Sequence, residues 1–437
     1  MRIVIVGAGI GGLALAQALR LRDVDVSVHD RDANVSATGG YRLHLDQAAC
    51  TALRRSVPPP LYQALLGSSA GSQAFRRFSF TDHRLRTLGD ELRDREEDTL
   101  LVGRVPLRRM LAHGLGDSLR WRSEFIGHEV GDDGTVTVRF ADGRREVADL
   151  LVGADGVGSR VAMALAGRPT SRPIGLVGIA ARTRLTPELD ATLPAVLRTG
   201  PALAISPSGI SLFLHVHDPA AGTVVDPASC LVVPADVEAG DVVWGLNGNT
   251  RCLPGDLRGL DGPSLQRAAA ALLDGWHPAI RALVAAPTHS IGYFRFHAAD
   301  PDADLTPWPS GAVTAIGDAV HAMPPTGGQG AATAIRDADL LAQELDDALT
   351  GTSTVPLAVH AYERAMPAYA APAIRSSLGP VVWQHRLSGR GAQRVARVVL
   401  PMLASSHRLR RLLRERPVIT RDAATTPGGI AEADGGR

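Results

Sequence analysis

Short apolar runs alternate with segments of helical period along most of this chain, and the alternation is the first clue to its fold. Arg2–Val6 is a continuous apolar run of strand length, as expected of a strand buried on both faces. Leu13, Leu15, Ala18 and Leu19 then recur at helical spacing, and Val24–Val28 alternates again. Strand, tight turn, helix and strand form one βαβ unit, which buries its sheet under helices.

The pattern continues. "LVGRVPLRRMLAHGL" predicts a short strand and a helix with Leu107, Leu111 and Leu115 on one face. Residues 121–156 read as a β-meander with D-D-G and A-D-G turns, ending in a buried strand at Leu150–Ala154. Ile174–Asn247 is rich in strands broken by Pro and Gly loops, and a helix around Leu265–Val284 closes it. "GAVTAIGDA" is another buried strand, leading to a helix over Gln329–Leu345. A largely helical segment from Pro380 to Pro417 carries nine Arg and one Glu. Its Val395, Val398, Val399, Met402 and Leu403 predict one face packed on the domain, and Pro401 predicts a kink or break. The organisation expected is a discontinuous first domain (1–170 and 291–370) with a sheet domain at 171–290 inserted in it. Residues 72–100 are a candidate contribution to that sheet, 371–417 a C-terminal helical segment, and 418–437 a flexible tail.

Composition narrows the function classes. In this chain of 437 residues, 46 basic residues against 45 acidic ones leave no global field for nucleic acid. All the basic residues are Arg, so Schiff-base and other lysine-dependent chemistry is excluded. Cys50, Cys230 and Cys252 show no C-x-x-C spacing, so no metal site or disulfide framework is expected. The start resembles a signal peptide, but four glycines within six residues spoil its apolar core. No run of 18 apolar residues occurs. A cytoplasmic protein with no integral membrane segment is the expectation.

Three motifs carry candidate chemistry. In Gly7-Ala8-Gly9-Ile10-Gly11-Gly12, Gly7 permits the tight turn, Gly9 admits a pyrophosphate, and Gly12 allows close helix packing. The helix N-terminus faces phosphates, while Asp30, followed by Arg31, ends the next strand and can accept from ribose hydroxyls. This motif alone leaves FAD and NAD open. In "DLLVGADGVGSRVA", a buried strand delivers Asp155 and Gly156 into a turn before Ser159 and Arg160. In "GDAVHAMPPTGGQGAATAIRDADLL", Asp318 follows a strand in the same way, at the carboxyl end where ligands of open α/β sheets lie.

Taken in this order, the motifs resemble the FAD-dependent aromatic hydroxylases, single-component flavoprotein monooxygenases of the p-hydroxybenzoate hydroxylase type. The resemblance runs from Met1 to about Ala370 and implies an α/β fold. That fold is a three-layer, Rossmann-like FAD-binding domain with an inserted mixed β-sheet substrate domain and C-terminal helices. It further implies that Gly7, Gly9, Gly11 and Gly12 form the ADP-phosphate turn, with Asp30 and Arg31 at the adenosine ribose. Arg104, in R-x-x-L-x-x-x-L, is expected to reach FAD from its helix start. Asp155 matches an acid associated with FAD and NAD(P)H, and Asp318 is expected at the ribityl chain or adjoining phosphates. Pro324–Gly330, including Pro325 and Gly328, is expected beside the isoalloxazine ring. His321, inside this motif, is expected to contact the cofactor.

Two departures from the family stand out. Ala332 occupies a position where members usually carry Asn, and Thr38 replaces an Arg before the glycines of "TGGYRLHLD". Arg42 is open to two readings, a substitute for that Arg or a plain surface residue.

The function implied is an FAD- and NAD(P)H-dependent monooxygenase. It would insert one oxygen atom of O₂ into a small aromatic or polyketide-like molecule through a flavin C(4a)-hydroperoxide. FAD would be non-covalent, the electron donor NADPH or NADH, and the protein a monomer or homodimer. An epoxidase, a Baeyer–Villiger oxygenase and a flavin-binding protein without turnover are the alternatives. No catalytic triad is visible. His215 and His217 share a strand face with Phe213 and are candidate pocket residues, although solvent-facing positions on a half-buried sheet fit them too. For Trp244 and Tyr293, core packing is the expectation over a place in the pocket.

Overall fold

The computed structural model describes residues 1–405 apart from 38, 76, 93–98, 254–256 and 388. Thr38, the basic residues after 405 and the expected tail at 418–437 lie outside the described residues.

The apolar runs become strands of a five-stranded parallel sheet. Its order is Val313–Ala315, Leu150–Gly153, Arg2–Val6, Asp25–His29 and Leu119–Arg120. Register matters most here: Val6 is level with Gly153 and His29, and Gly153 with Ala315. The chain leaves these aligned carboxyl ends at Gly7, Ala154 and Ile316, so the three motifs emerge along one edge. One face of the sheet packs against helices Ile10–Arg20, Gln47–Ser56 and Gly330–Glu344. The other packs on the three-stranded meander Phe125–Val130, Val136–Phe140 and Arg145–Ala148. These are the three layers.

The helices Ile10–Arg20 and Gly330–Glu344 approach each other closely because their contact residues are small. A Cβ on Gly11 would lie 3.1 Å from the Ala334 Cβ, and one on Gly317 would lie 3.2 Å from it.

The second sheet has seven strands. Their order is Thr288–Ala298, Arg172–Arg184, Asp241–Asn249, Ile210–His217, Ala202–Ile205, Arg77–Asp82 and Thr87–Leu92. Residues 77–92 therefore join it at the far edge, and the expected boundary at 291 falls inside Thr288–Ala298, the last of its strands in chain order. One face carries a core around fully buried Trp244, whose Nε1 donates to Thr183 Oγ1 at 3.0 Å, with Tyr293 packed against that core. Helices Gly262–Ala271 and Pro278–Ala285 cover it. The single helix expected at Leu265–Val284 is thus two, because Gly275 turns through φ +74° and Pro278 opens the next one.

Helices Pro367–Leu387 and Arg390–Ser405 complete the described chain. The last helix runs on through Pro401, since the one hydrogen bond proline forfeits lies near its end. Nor does the described part of the expected stripe pack on the domain; the Leu403 side chain lies outside what the structure describes. Ala396 is buried, whereas Val395, Val398, Val399 and Met402 are exposed.

The tight helix contact gives a test of the fold. Ala334→Leu would force bulk between Gly11 and Gly317 and should destabilise the protein by about 1–3 kcal/mol, as overpacked cores do. A lowered urea midpoint with unchanged slope is the expected result; an unchanged midpoint would mean that the two helices are not in close contact.

Candidate active site

Backbone geometry makes the first turn. Gly7 has φ +110°, and a Cβ there would meet the Ala154 carbonyl oxygen at 2.2 Å; a Cβ on Gly12 would meet that of Gly7 at 2.0 Å. Only glycine fits either position. At Gly9, the N-cap of the first helix, the nearest atom to an added Cβ is 3.9 Å away, so the helix N-terminus is approachable.

Asp30 holds this turn in shape. Its Oδ2 accepts from the Ala8 N–H at 2.7 Å and its Oδ1 from the Asp32 N–H at 2.7 Å. Buried Arg108 ties the same elements together. Its Nε donates to the Ala8 carbonyl at 2.7 Å, its Nη2 to Asp30 at 3.2 Å and its Nη1 to Asp32 at 2.8 Å. Arg31 is exposed. Asp155 accepts from the Ser159 hydroxyl and, at 2.8 Å, from the Arg160 N–H, so it shapes its own turn at the start of helix Arg160–Ala166.

Asp318 and Arg104 differ from these. Among the described residues, neither the Asp318 carboxylate nor the Arg104 guanidinium has a hydrogen-bond partner, although each senses the other electrostatically. Burial pushes the Asp318 carboxyl up, against the pull of His321 and Arg104. Burial likewise draws Arg104 down, opposed by Asp318. Such a pair of half-buried groups, each short of partners, suits a polar ligand that satisfies both.

Beneath Asp318 lies a largely buried network. Asp337 Oδ2 accepts from the Gly317 N–H at 2.7 Å and from His321 Nε2 at 2.6 Å, and its Oδ1 accepts from the Tyr369 hydroxyl at 2.6 Å. Burial lowers the His321 imidazole, but the Asp337 carboxylate outweighs it and the net direction is up. His321 therefore pins the strand end from below, with its ring buried at Asp337.

The loop after Asp318 borders a cavity of about 1090 Å³. Pro325, Gly328, Gln329 and Ala332 form one wall. Gly328 takes φ +66° with open space around it, and Gly330 begins the late helix with an added Cβ only 3.7 Å from Asp318 Oδ1. Gly327 is needed for another reason: a Cβ there would strike Ser377 Oγ at 2.2 Å, and Thr326 also donates to the Ser377 carbonyl. The opposite wall is one face of the seven-stranded sheet, with Phe78, Phe80, Leu203, Ile205, Phe213 and Asn247.

His215 and His217 are not in the cavity lining, although they share the face of Phe213. A strand advances about 3.3 Å per residue, so both lie further along, beyond Phe75, whose ring sits 6.4 Å from that of His215. Burial, reinforced by Arg42, lowers His215 to about 4 and His217 to about 3. They are neutral packing residues, and the solvent-facing reading fails as well. Arg42 itself is no surface residue. It lines the cavity and pairs with Glu238 at 3.0 Å.

Sequence reading missed three residues. Arg108 sits one turn after Arg104, and that helical spacing was a usable signal. Asp337 lies seven residues after Gly330 on the same helix, again a repeat that helical geometry makes meaningful. Tyr41 had no sequence signal. Its ring lines the cavity, its hydroxyl has no hydrogen-bond partner among the described residues, and burial pushes its phenol well up, against the pull of Arg104.

Comparison with known proteins agrees with this geometry. A family model described as an FAD binding domain matches residues 1–203 and 277–376. The crystal structure of a candidate FAD-containing monooxygenase from Photorhabdus luminescens is 30% identical and superposes with a TM-score of 0.72 over 90% of this chain and 98% of that one. The dual O-methyltransferase/FAD-dependent monooxygenase CTB3 of Cercospora beticola is 31% identical over 83% of this chain, which spans only 44% of that protein. The 6-hydroxynicotinate 3-monooxygenase of Pseudomonas fluorescens is 29% identical over 83% of this chain and 86% of its own. With both glycine turns and the strand-end acids between them inside the matched segments, the chain belongs to the FAD-binding-domain family of flavoprotein monooxygenases.

Proposed function

We propose that this protein is an FAD- and NAD(P)H-dependent monooxygenase that inserts one oxygen atom of O₂ into a small aromatic or polyketide-like molecule. The observation that carries this reading is the position of Arg104 and Asp318, which have no side-chain hydrogen-bond partner among the described residues, between the N-terminal glycine turn and an aromatic-walled cavity. Bound FAD would supply the redox chemistry, taking reducing equivalents from NAD(P)H and activating O₂.

The chain's own residues have the remaining tasks. Gly7 and Gly12 shape the turn, Gly11 lets the late helix approach, Gly9 gives the pyrophosphate access to helix N–H groups, and Asp30 fixes that turn beside the adenosine ribose. Asp155 supports the neighbouring turn. Asp318 and Arg104 are suited to the ribityl and phosphate region, where hydroxyl donors and anionic oxygens would satisfy them respectively. Pro325, Gly328 and Gly330 border the cavity where the isoalloxazine would lie. Phe75, Phe78, Phe80 and Phe213 supply flat apolar surface against an aromatic substrate and exclude water. Tyr41, neutral because its phenol is pushed up, can only donate or accept a hydrogen bond, which makes it a positioning residue for a substrate oxygen.

The whole reading is tested by incubating the purified enzyme with NADPH or NADH, isotope-labelled O₂ and a panel of phenols and polyketides. Substrate-stimulated NAD(P)H oxidation and products carrying one labelled oxygen are expected. Label drawn from water, or no stimulation by any compound, would contradict it. Asp318→Ala removes a charge-assisted hydrogen bond of roughly 1.5–3 kcal/mol and should weaken FAD binding about ten- to a hundredfold. Fluorescence titration measures this, and an unchanged affinity would remove Asp318 from the site. Tyr41→Phe should leave FAD affinity intact while lowering kcat/KM about two- to tenfold, the loss of one neutral hydrogen bond at ~0.5–1.5 kcal/mol. Equal kinetics in the variant would deny Tyr41 a substrate contact.

A further inference from the structure

Helix Arg390–Ser405 turns its apolar side away from the protein. Val395, Val398, Val399 and Met402 recur at three- and four-residue spacing and are 61%, 61%, 39% and 53% exposed. The side facing the protein is different. Ala396 is buried, and Gln393 Nε2 donates to the Ser208 carbonyl at 3.0 Å. Exposed Arg394 and Arg397 lie beside the apolar stripe, and the helix contains no acidic residue. This local excess of positive charge stands out in a chain whose formal net charge is only +1.

The position of the helix is also informative. It packs against the strands Arg77–Asp82 and Thr87–Leu92, which form the far edge of the seven-stranded sheet. Glu91 and Leu92 of that edge line the large cavity, and Leu92 is 71% exposed. The apolar stripe therefore stands next to a rim of the cavity.

We propose that this helix is a docking surface for an anionic lipid bilayer, lying in the interface plane with its valines in the acyl boundary and its arginines at the head groups. A second copy of the chain fits less well, because two such faces would bring Arg394 and Arg397 against their own like charges. The following chain segment is a poor cover for the same reason: from 406 to 417 it carries five Arg and one Glu. Docking would set the cavity rim at the lipid surface, a route for apolar substrates that partition into membranes.

The test uses the full-length, FAD-loaded protein in flotation assays with phosphatidylglycerol/phosphatidylcholine vesicles and with pure phosphatidylcholine vesicles. Binding to the anionic vesicles, weakened by high salt, is expected, with at least tenfold less on the neutral ones. Val395→Asp with Val398→Asp, both on exposed positions, should reduce anionic-vesicle binding at least tenfold while leaving FAD content and circular dichroism unchanged. Arg394→Gln with Arg397→Gln should reduce it and flatten the salt dependence. No binding by the wild type overturns the proposal. So does a wild-type dimer, seen by light scattering, that the aspartate variant converts to monomer without any vesicle binding, since the face would then join two copies. Neither outcome bears on oxygen insertion, which is measured separately in solution.

Discussion

The contact between helix Ile10–Arg20 and helix Gly330–Glu344 is the constraint on which the rest of this structure depends. Each helix begins at a glycine turn, and each turn is useful only if the other is held at a fixed distance. Small residues set that distance: Gly11 and Gly317 both leave room for Ala334 and for little else. Asp337, one turn further along, then uses both carboxylate oxygens to hold Gly317, His321 and Tyr369. The strand end carrying Asp318 is fixed from beneath by this network, so Asp318 itself is presented with no side-chain hydrogen-bond partner among the described residues.

The other end of the cavity is fixed by charge. Arg42 and Arg182 share Glu238 at 3.0 and 2.7 Å, and Arg182 also donates to Asp241 at 2.6 Å. Buried ion pairs of this kind add little net stability, because desolvation offsets their attraction. What they do is select one arrangement of the loop before Gly240. A Cβ on Gly103 would meet Glu238 Oε2 at 2.0 Å, so the glycine lets that loop close over the start of the helix carrying Arg104. The same positive charge reinforces the burial that keeps His215 and His217 neutral.

Much of this was legible in the sequence, for a physical reason. Parallel strands buried on both faces appear as continuous apolar runs, and glycine turns declare themselves because no other residue fits them. The two-sheet plan and the residues at the strand ends followed from these signals. Four things did not. The split of the helix at Gly275 was missed because its apolar period continues across the break. His215 and His217 were placed by face, while distance along the strand, which face alone does not fix, decides whether a residue reaches the cavity. The stripe on the last helix has the period of a packed face and proved to be exposed, because periodicity shows that a side is apolar without showing what covers it. Tyr41 and Glu238 act through contacts between distant segments, which no local pattern encodes.

The central claim is that the two glycine turns, brought together by the helix contact, hold a single FAD. Its most direct test is the flavin content of purified protein, with the cofactor released by acid and identified by chromatography. The account predicts a yellow protein that releases close to one intact FAD per chain. A colourless protein that cannot be loaded with FAD, yet binds a nicotinamide nucleotide at the N-terminal turn, would contradict it.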